Sequence, residues 1–152
     1  MSDNNHMVHF LSRGTQYALR ALIHLAGVSP SEACPVRRIA AAELVPQPFL
    51  AKLMGRLARA GLVHAFKGPG GGIRLARPPN EVKVIDVILA VEGMDYFEGC
   101  FLGLPACDSA SPCPMHDEWK DLTRRLSGLL EGVTLAELAR SLGKNGPAPP
   151  GT

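Results

Sequence analysis

FLAKLMGRLARAGLVHAFKGPGGGIRLAR, residues 49–77, runs from a helical pattern into two short apolar runs around a glycine-rich tip. Leu50, Leu53, Leu57 and Ala60 recur at helical spacing, and Lys52, Arg56 and Arg59 fall on the opposite face. Pro46 and Pro48 open this helix and Gly61 ends it. LVHAF (62–66) and IRLA (73–76) then read as the strands of a hairpin. Glycines at the tip, Gly70 and Gly71 among them, permit positive φ and close approach to phosphates, with Lys67 and Arg74 beside them. The alternative is a glycine-rich turn with no ligand. The run is no nucleotide loop, because Ile73 takes the last glycine position of GxGxxG and a strand follows where a helix is required.

Upstream, Ser12 caps a first helix in which Ala18, Leu22 and Leu25 share a face and Gly27 supplies the stop. Pro35 begins a brief second helix with Val36, Ile39 and Ala40 as its apolar stripe, ending near Val45. Helix, helix, helix, hairpin is the order of a winged helix-turn-helix, whose second motif helix enters the DNA major groove. The expected fold is mainly α with a small β-hairpin, the wing reaching along the DNA backbone. Pro78 and Pro79 close this unit, placed at 8–80.

Charge supports a polyanionic partner. Residues 1–80 hold ten Lys or Arg against three Asp or Glu, whereas 81–152 hold six against eleven, so a net +2 conceals a basic and an acidic half. Eight basic residues and one acid, Glu43, fall within 37–77. A merely solvated basic face is the competing reading. The opening MSDNNHMVHF has neither a basic n-region nor an apolar core, and no stretch is apolar enough to span a bilayer, so a cytoplasmic protein with no membrane partner is expected.

In the acidic half, VIDVILAVE (84–92) is an apolar helix ended by Gly93. A long helix starts at Pro114, with Met115, Trp119, Leu122, Leu126 and Leu129 spaced four, three, four, three, the period of a helix–helix seam. It reads as a dimerisation helix, or alternatively as the core-facing helix of a monomer. Thr134 and Glu137 form a capping box for a last helix ended by Gly143, and KNGPAPPGT (144–152) reads as a disordered tail. Residues 81–143 thus form a second unit.

Between these helices, CFLGLPACDSASPCPMH (100–116) holds Cys100, Cys107, Cys113 and His116, with gaps of six, five and two residues. All four are soft or borderline ligands. A structural zinc accepts three cysteines and a histidine but usually wants a C-x₂₋₄-C pair, absent here; wider spacing with flexible glycines and prolines suits an iron–sulfur cluster. On spacing, the two stand level, and unliganded thiols are a third reading. Cys34 lies apart, before the second helix.

Three stretches, YALRALIHLA (17–26), the 49–77 segment and HDEWKDLTRRLSGLLEGVTLAELA (116–139), resemble bacterial iron–sulfur winged-helix regulators of the IscR and NsrR type, over about Val8 to Leu142. The resemblance implies a homodimer that binds double-stranded operator DNA and holds a cluster, 2Fe-2S favoured with 4Fe-4S as the alternative, on Cys100, Cys107 and Cys113 plus a variable fourth ligand. His116 fills the IscR-type fourth position. Gln16 stands where NsrR-type members place an aspartate that reaches the partner, and an amide is a poor ligand. The first cysteine gap is one residue longer than in IscR-type members, and Ala51 replaces a glutamate of their recognition helix, so neither nuclearity nor operator preference carries over. Gln47 and Lys52 are the candidate base readers. Arg56, Arg59, Lys67 and Arg74 are phosphate candidates, and Trp119, Leu122, Leu126 and Leu129 the dimer seam.

The expectation is a transcriptional regulator, not an enzyme, since no catalytic constellation appears. An iron–sulfur electron carrier without DNA binding, and a winged-helix regulator with structural zinc, are the rivals.

Overall fold

The computed structural model describes residues 10–143. Residues 8 and 9 of the expected first unit, and the tail expected at 144–152, lie outside the described residues. In chain order the fold comprises α1 (Arg13–Ala26), α2 (Val36–Glu43), α3 (Gln47–Arg59), β1 (Val63–Phe66), β2 (Gly72–Leu75), α4 (Val84–Glu92), α5 (His116–Glu131) and α6 (Leu135–Gly143), with a 3₁₀ turn at Pro79–Glu81 before α4.

The local signals act as expected at most boundaries. Ser12 Oγ accepts the Thr15 amide at 3.1 Å and Gly27 caps the other end of α1. Thr134 and Glu137 exchange bonds at the start of α6, the Thr134 amide donating to Glu137 Oε1 at 2.8 Å and the Glu137 amide to Thr134 Oγ1 at 3.2 Å. The turn between α2 and α3 departs from expectation. Helix α2 stops at Glu43, before Val45, because Leu44 takes the left-handed conformation at φ 58° and the Val45 amide closes back on the Ala40 carbonyl at 3.0 Å.

Helix α1 is the hub of the core. Its Ala18, Ala21 and Leu22 are fully buried against Ile39 of α2, Leu50 and Leu57 of α3 and Val87 of α4. Met54 joins this face of α3, whereas Ala60 lies beyond the helix end and is exposed. Buried Glu43 fastens the turn to α1, its Oε1 lying 3.5 Å from Arg20 Nε and its Oε2 3.3 Å from His24 Nδ1. Leu135 and Ala139 of α6 belong to the same buried cluster, so the core continues across residue 80 and the C-terminal helix packs back on the winged-helix unit.

The wing is a two-stranded antiparallel hairpin in the register Val63 with Leu75 and Phe66 with Gly72. Cys34 acts as a third rung: its amide and carbonyl pair with the carbonyl and amide of Ile73, each at 2.8 Å. Gly72 makes that approach possible, since a Cβ there would lie 2.4 Å from the Cys34 carbonyl oxygen. Cys34 is therefore a buried part of the wing base.

Helix α5 begins at His116 rather than Pro114, and Thr123 is its one buried residue in sixteen. Leu122 is 48 % and Leu129 64 % exposed. Among the described residues, Leu122 and Leu129 of its apolar stripe are thus left largely uncovered.

Candidate functional site

The chain leaves α4 at Gly93 and returns at α5, and the intervening loop is pinned at several points. The Trp119 indole donates to the Gly99 carbonyl at 3.1 Å while its ring meets Phe101 edge-on at 5.1 Å. Tyr96 donates its hydroxyl to the Phe10 carbonyl at 2.6 Å. The His116 amide bonds the Cys113 carbonyl at 3.0 Å, so the third cysteine and the histidine are fixed together by the first turn of α5.

These restraints draw Cys100, Cys107 and Cys113 together, their three sulfurs all within 4.8 Å of one another. Cys100 Sγ lies 3.7 Å from Cys113 Sγ, and the Cys113 amide approaches Cys107 Sγ at 3.4 Å. His116 joins through Cys107, its Nδ1 lying 3.3 Å from that sulfur. All three thiols are free. Around them opens a cavity of about 580 Å³ lined also by Phe97, Trp119 and Thr123.

Backbone hydrogen bonds at Leu104, and secondarily at Leu102, hold the Cys100 thiol down at about 7, against the opposing effect of burial. Cys107 is raised: the Cys113 amide favours its thiolate, but burial and the neighbouring Cys100 and Cys113 outweigh it. Burial likewise raises Cys34, over the lowering effect of Arg38. A thiol near neutrality beside two more and an imidazole is a ready donor set for a thiophilic metal, because the thiolate is the ligating form.

Helix α3 and the wing carry the expected reading residues. Gln47, Lys52, Arg59 and Lys67 are exposed. Gly70 holds φ 76°, and a Cβ on Gly71 would lie 2.4 Å from the Phe66 carbonyl oxygen, so the tip is built for glycine. Two arginines are engaged within the chain. Arg56 Nη1 donates to the Val91 carbonyl at 3.0 Å, and Arg74 lies 4.7 Å over the Phe66 ring and donates to the Ser31 carbonyl at 3.4 Å.

Sequence reading missed the polar junction at Glu92. Its Oε2 accepts the Thr15 hydroxyl at 2.6 Å and the Ser12 amide at 3.2 Å. Partners 77 and 80 residues apart leave no local pattern. Among the described residues, no helix is long and apolar enough to cross a membrane.

Comparison with known proteins fits this architecture. IscR, an HTH-type transcriptional regulator of Photobacterium profundum, is 36 % identical over 125 residues, covering 82 % of this chain and 72 % of its own. IscR of Serratia proteamaculans is 34 % identical over 126 residues, covering 83 % and 76 %. Among solved structures, T. potens IscR superposes with a TM-score of 0.70 at 26 % identity, covering 88 % of each chain. The global cysteine regulator CymR of B. subtilis shares the fold, with a TM-score of 0.71 at 24 % identity over 89 % of this chain and 98 % of its own. The two IscR relatives are HTH-type transcriptional regulators, and this chain is likewise a DNA-binding transcriptional regulator and not an enzyme. The model of the Rrf2 family, described as iron-dependent transcriptional regulators, matches residues 11–141, and with the winged helix and the three-thiol loop in place the chain belongs to that family.

Proposed function

We propose that the chain is a homodimeric repressor-type regulator whose operator affinity is set by an iron–sulfur cluster held by Cys100, Cys107 and Cys113, with His116 as the fourth ligand. The carrying observation is the convergence of three free thiols within 4.8 Å in one loop-bounded cavity, one of them acidified to about 7. The donor set fits: three thiolates and an imidazole supply the four terminal ligands that an iron–sulfur cluster takes from the protein, 2Fe-2S being the favoured form and 4Fe-4S the alternative. Bound there, such a cluster supplies a centre that responds to oxidants, to nitric oxide and to iron supply.

The chain's own residues supply the rest. The loop connects α4 to α5 directly, so a thiol set that is gathered or released alters the path between them. Trp119, Leu122, Leu126 and Leu129 form the seam for a second copy, bringing two reading heads to one operator. In this reading Gln47 and Lys52 meet base edges, and Arg59, Lys67, Gly70 and Gly71 meet phosphates. Arg56 and Arg74 would have to leave their internal carbonyl partners to do the same. The winged-helix unit at 8–80 and the cluster-binding and dimerising unit at 81–143 divide these tasks, within a cytoplasmic protein.

The compact sulfur set also suits one tetrahedral zinc on three cysteines and a histidine, which is the second reading. Anaerobic purification followed by iron, zinc and acid-labile sulfide analysis separates the two. Iron with stoichiometric sulfide and visible absorbance supports the cluster; zinc without sulfide establishes the alternative.

A further inference from the structure

The last turn of α4 touches three parts of the molecule at once. The Val91 carbonyl, among the terminal carbonyls left without an intrahelical donor, accepts Arg56 Nη1 of α3 at 3.0 Å. The adjacent Glu92 Oε2 accepts the hydroxyl of fully buried Thr15 at 2.6 Å and the amide of Ser12, the cap of α1, at 3.2 Å. Gly93 follows at φ 114°, and there the chain departs into the cysteine loop. One short segment thus holds the reading helix and the hub helix and begins the loop that carries the thiols.

We propose that residues 91–93 are the mechanical link between the thiol site and the reading helix, with Glu92 as its positioning residue and Arg56 as the tether on α3. Glu92 fixes the end of α4 against α1; the Val91 carbonyl then fixes Arg56, and with it the last turns of α3. A loop that pulls on Gly93 shifts that end and therefore α3. The proposal rests on the reading that the thiol site modulates operator binding. It assigns Arg56 an internal role in place of a phosphate contact, and a helix-terminal carbonyl is a favourable seat for a guanidinium.

The test compares operator affinity with and without cluster in wild type, Glu92→Ala, which deletes the acceptor, and Glu92→Gln, which retains one for Thr15. Iron and sulfide content and thermal stability are measured in parallel. Wild type is expected to show a cluster-dependent difference of about 5- to 150-fold. In Glu92→Ala that difference falls to about twofold or less at undiminished cluster content, and Glu92→Gln restores most of it. Thr15→Val, which removes the donor while filling its space, serves as the second variant and should behave as Glu92→Ala does. An unchanged difference in both Glu92→Ala and Thr15→Val, or equal loss of affinity with and without cluster, overturns the link. A wild type with no cluster-dependent difference overturns the functional reading itself, and the link with it.

Discussion

Cys100 and Cys113 stand thirteen residues apart in the chain, and their sulfurs lie 3.7 Å apart on the two sides of one loop. Neither lies in a helix or strand. They meet because each flank is fastened: Trp119 holds Gly99, and the start of α5 holds Cys113 through its carbonyl. Removing the indole donor should loosen the first flank alone. Trp119→Phe is expected to leave the fold intact and to lower cluster yield on reconstitution, measured as visible absorbance per protomer; the lost hydrogen bond is a matter of about 0.5–1.5 kcal/mol.

Leu57 is fully buried between α3 and the hub helix. Its truncation to Ala should lower unfolding free energy by about 2–5 kcal/mol, read from chemical denaturation, because the surrounding helices fill the void only in part.

The wing depends on one backbone approach. At Gly72 a Cβ would lie 2.4 Å from the Cys34 carbonyl oxygen, and φ is 150°. Gly72→Ala should part the wing from Cys34 and weaken operator binding by tenfold or more, roughly 1.4 kcal/mol at tenfold, while iron and sulfide content stay unchanged. Fluorescence anisotropy with operator DNA reads the first quantity and metal analysis the second.

Leu122 and Leu129 are apolar and largely exposed on α5. If they form the seam with a second copy, Leu122→Asp combined with Leu129→Asp should yield a folded monomer in analytical ultracentrifugation. Burial of each leucine contributes on the order of 1.5–3 kcal/mol, so the pair suffices to shift a dimer apart. A dimer that persists would place the contact elsewhere.

Glu92 links stability to acid. Burial raises its carboxyl, but the Thr15 hydroxyl, the Ser12 hydroxyl and amide and the charge of Arg56 together lower it below its ordinary value. A carboxyl depressed on folding stabilises the native state above its unfolded pKa, and that contribution disappears as pH falls through the lower folded value. Thermal melts of wild type should therefore lose stability below about pH 4.3 more steeply than those of Glu92→Gln, whose side chain does not titrate.

How much of this was legible in the chain follows the range of each interaction. Ser12, Gly27, Gly93 and the Thr134–Glu137 pair are local signals, and they mark helix ends where the structure has them. The helical spacing of Leu50, Leu53 and Leu57 selected the buried face of α3, though Met54 on the same face was passed over and Ala60 overshot the end. The wing hairpin was readable from its glycines, but the third rung at Cys34 was not, since Cys34 and Ile73 meet only through the tertiary fold. Cysteine spacing suggested a shared ligand and left its identity open. The engagement of Arg56 by Val91 had no local signature at all: a basic residue on an exposed face reads the same whether it awaits a phosphate or a carbonyl 35 residues further along the chain.

The measurement closest to the centre of this account is operator affinity, at fixed salt, of anaerobically reconstituted protein and of the same preparation stripped of iron and sulfide. Affinities that differ by about fivefold or more are expected, with the difference abolished in Cys107→Ala. Equal affinities for the two forms, with the protein demonstrably loaded in one and empty in the other, would contradict it.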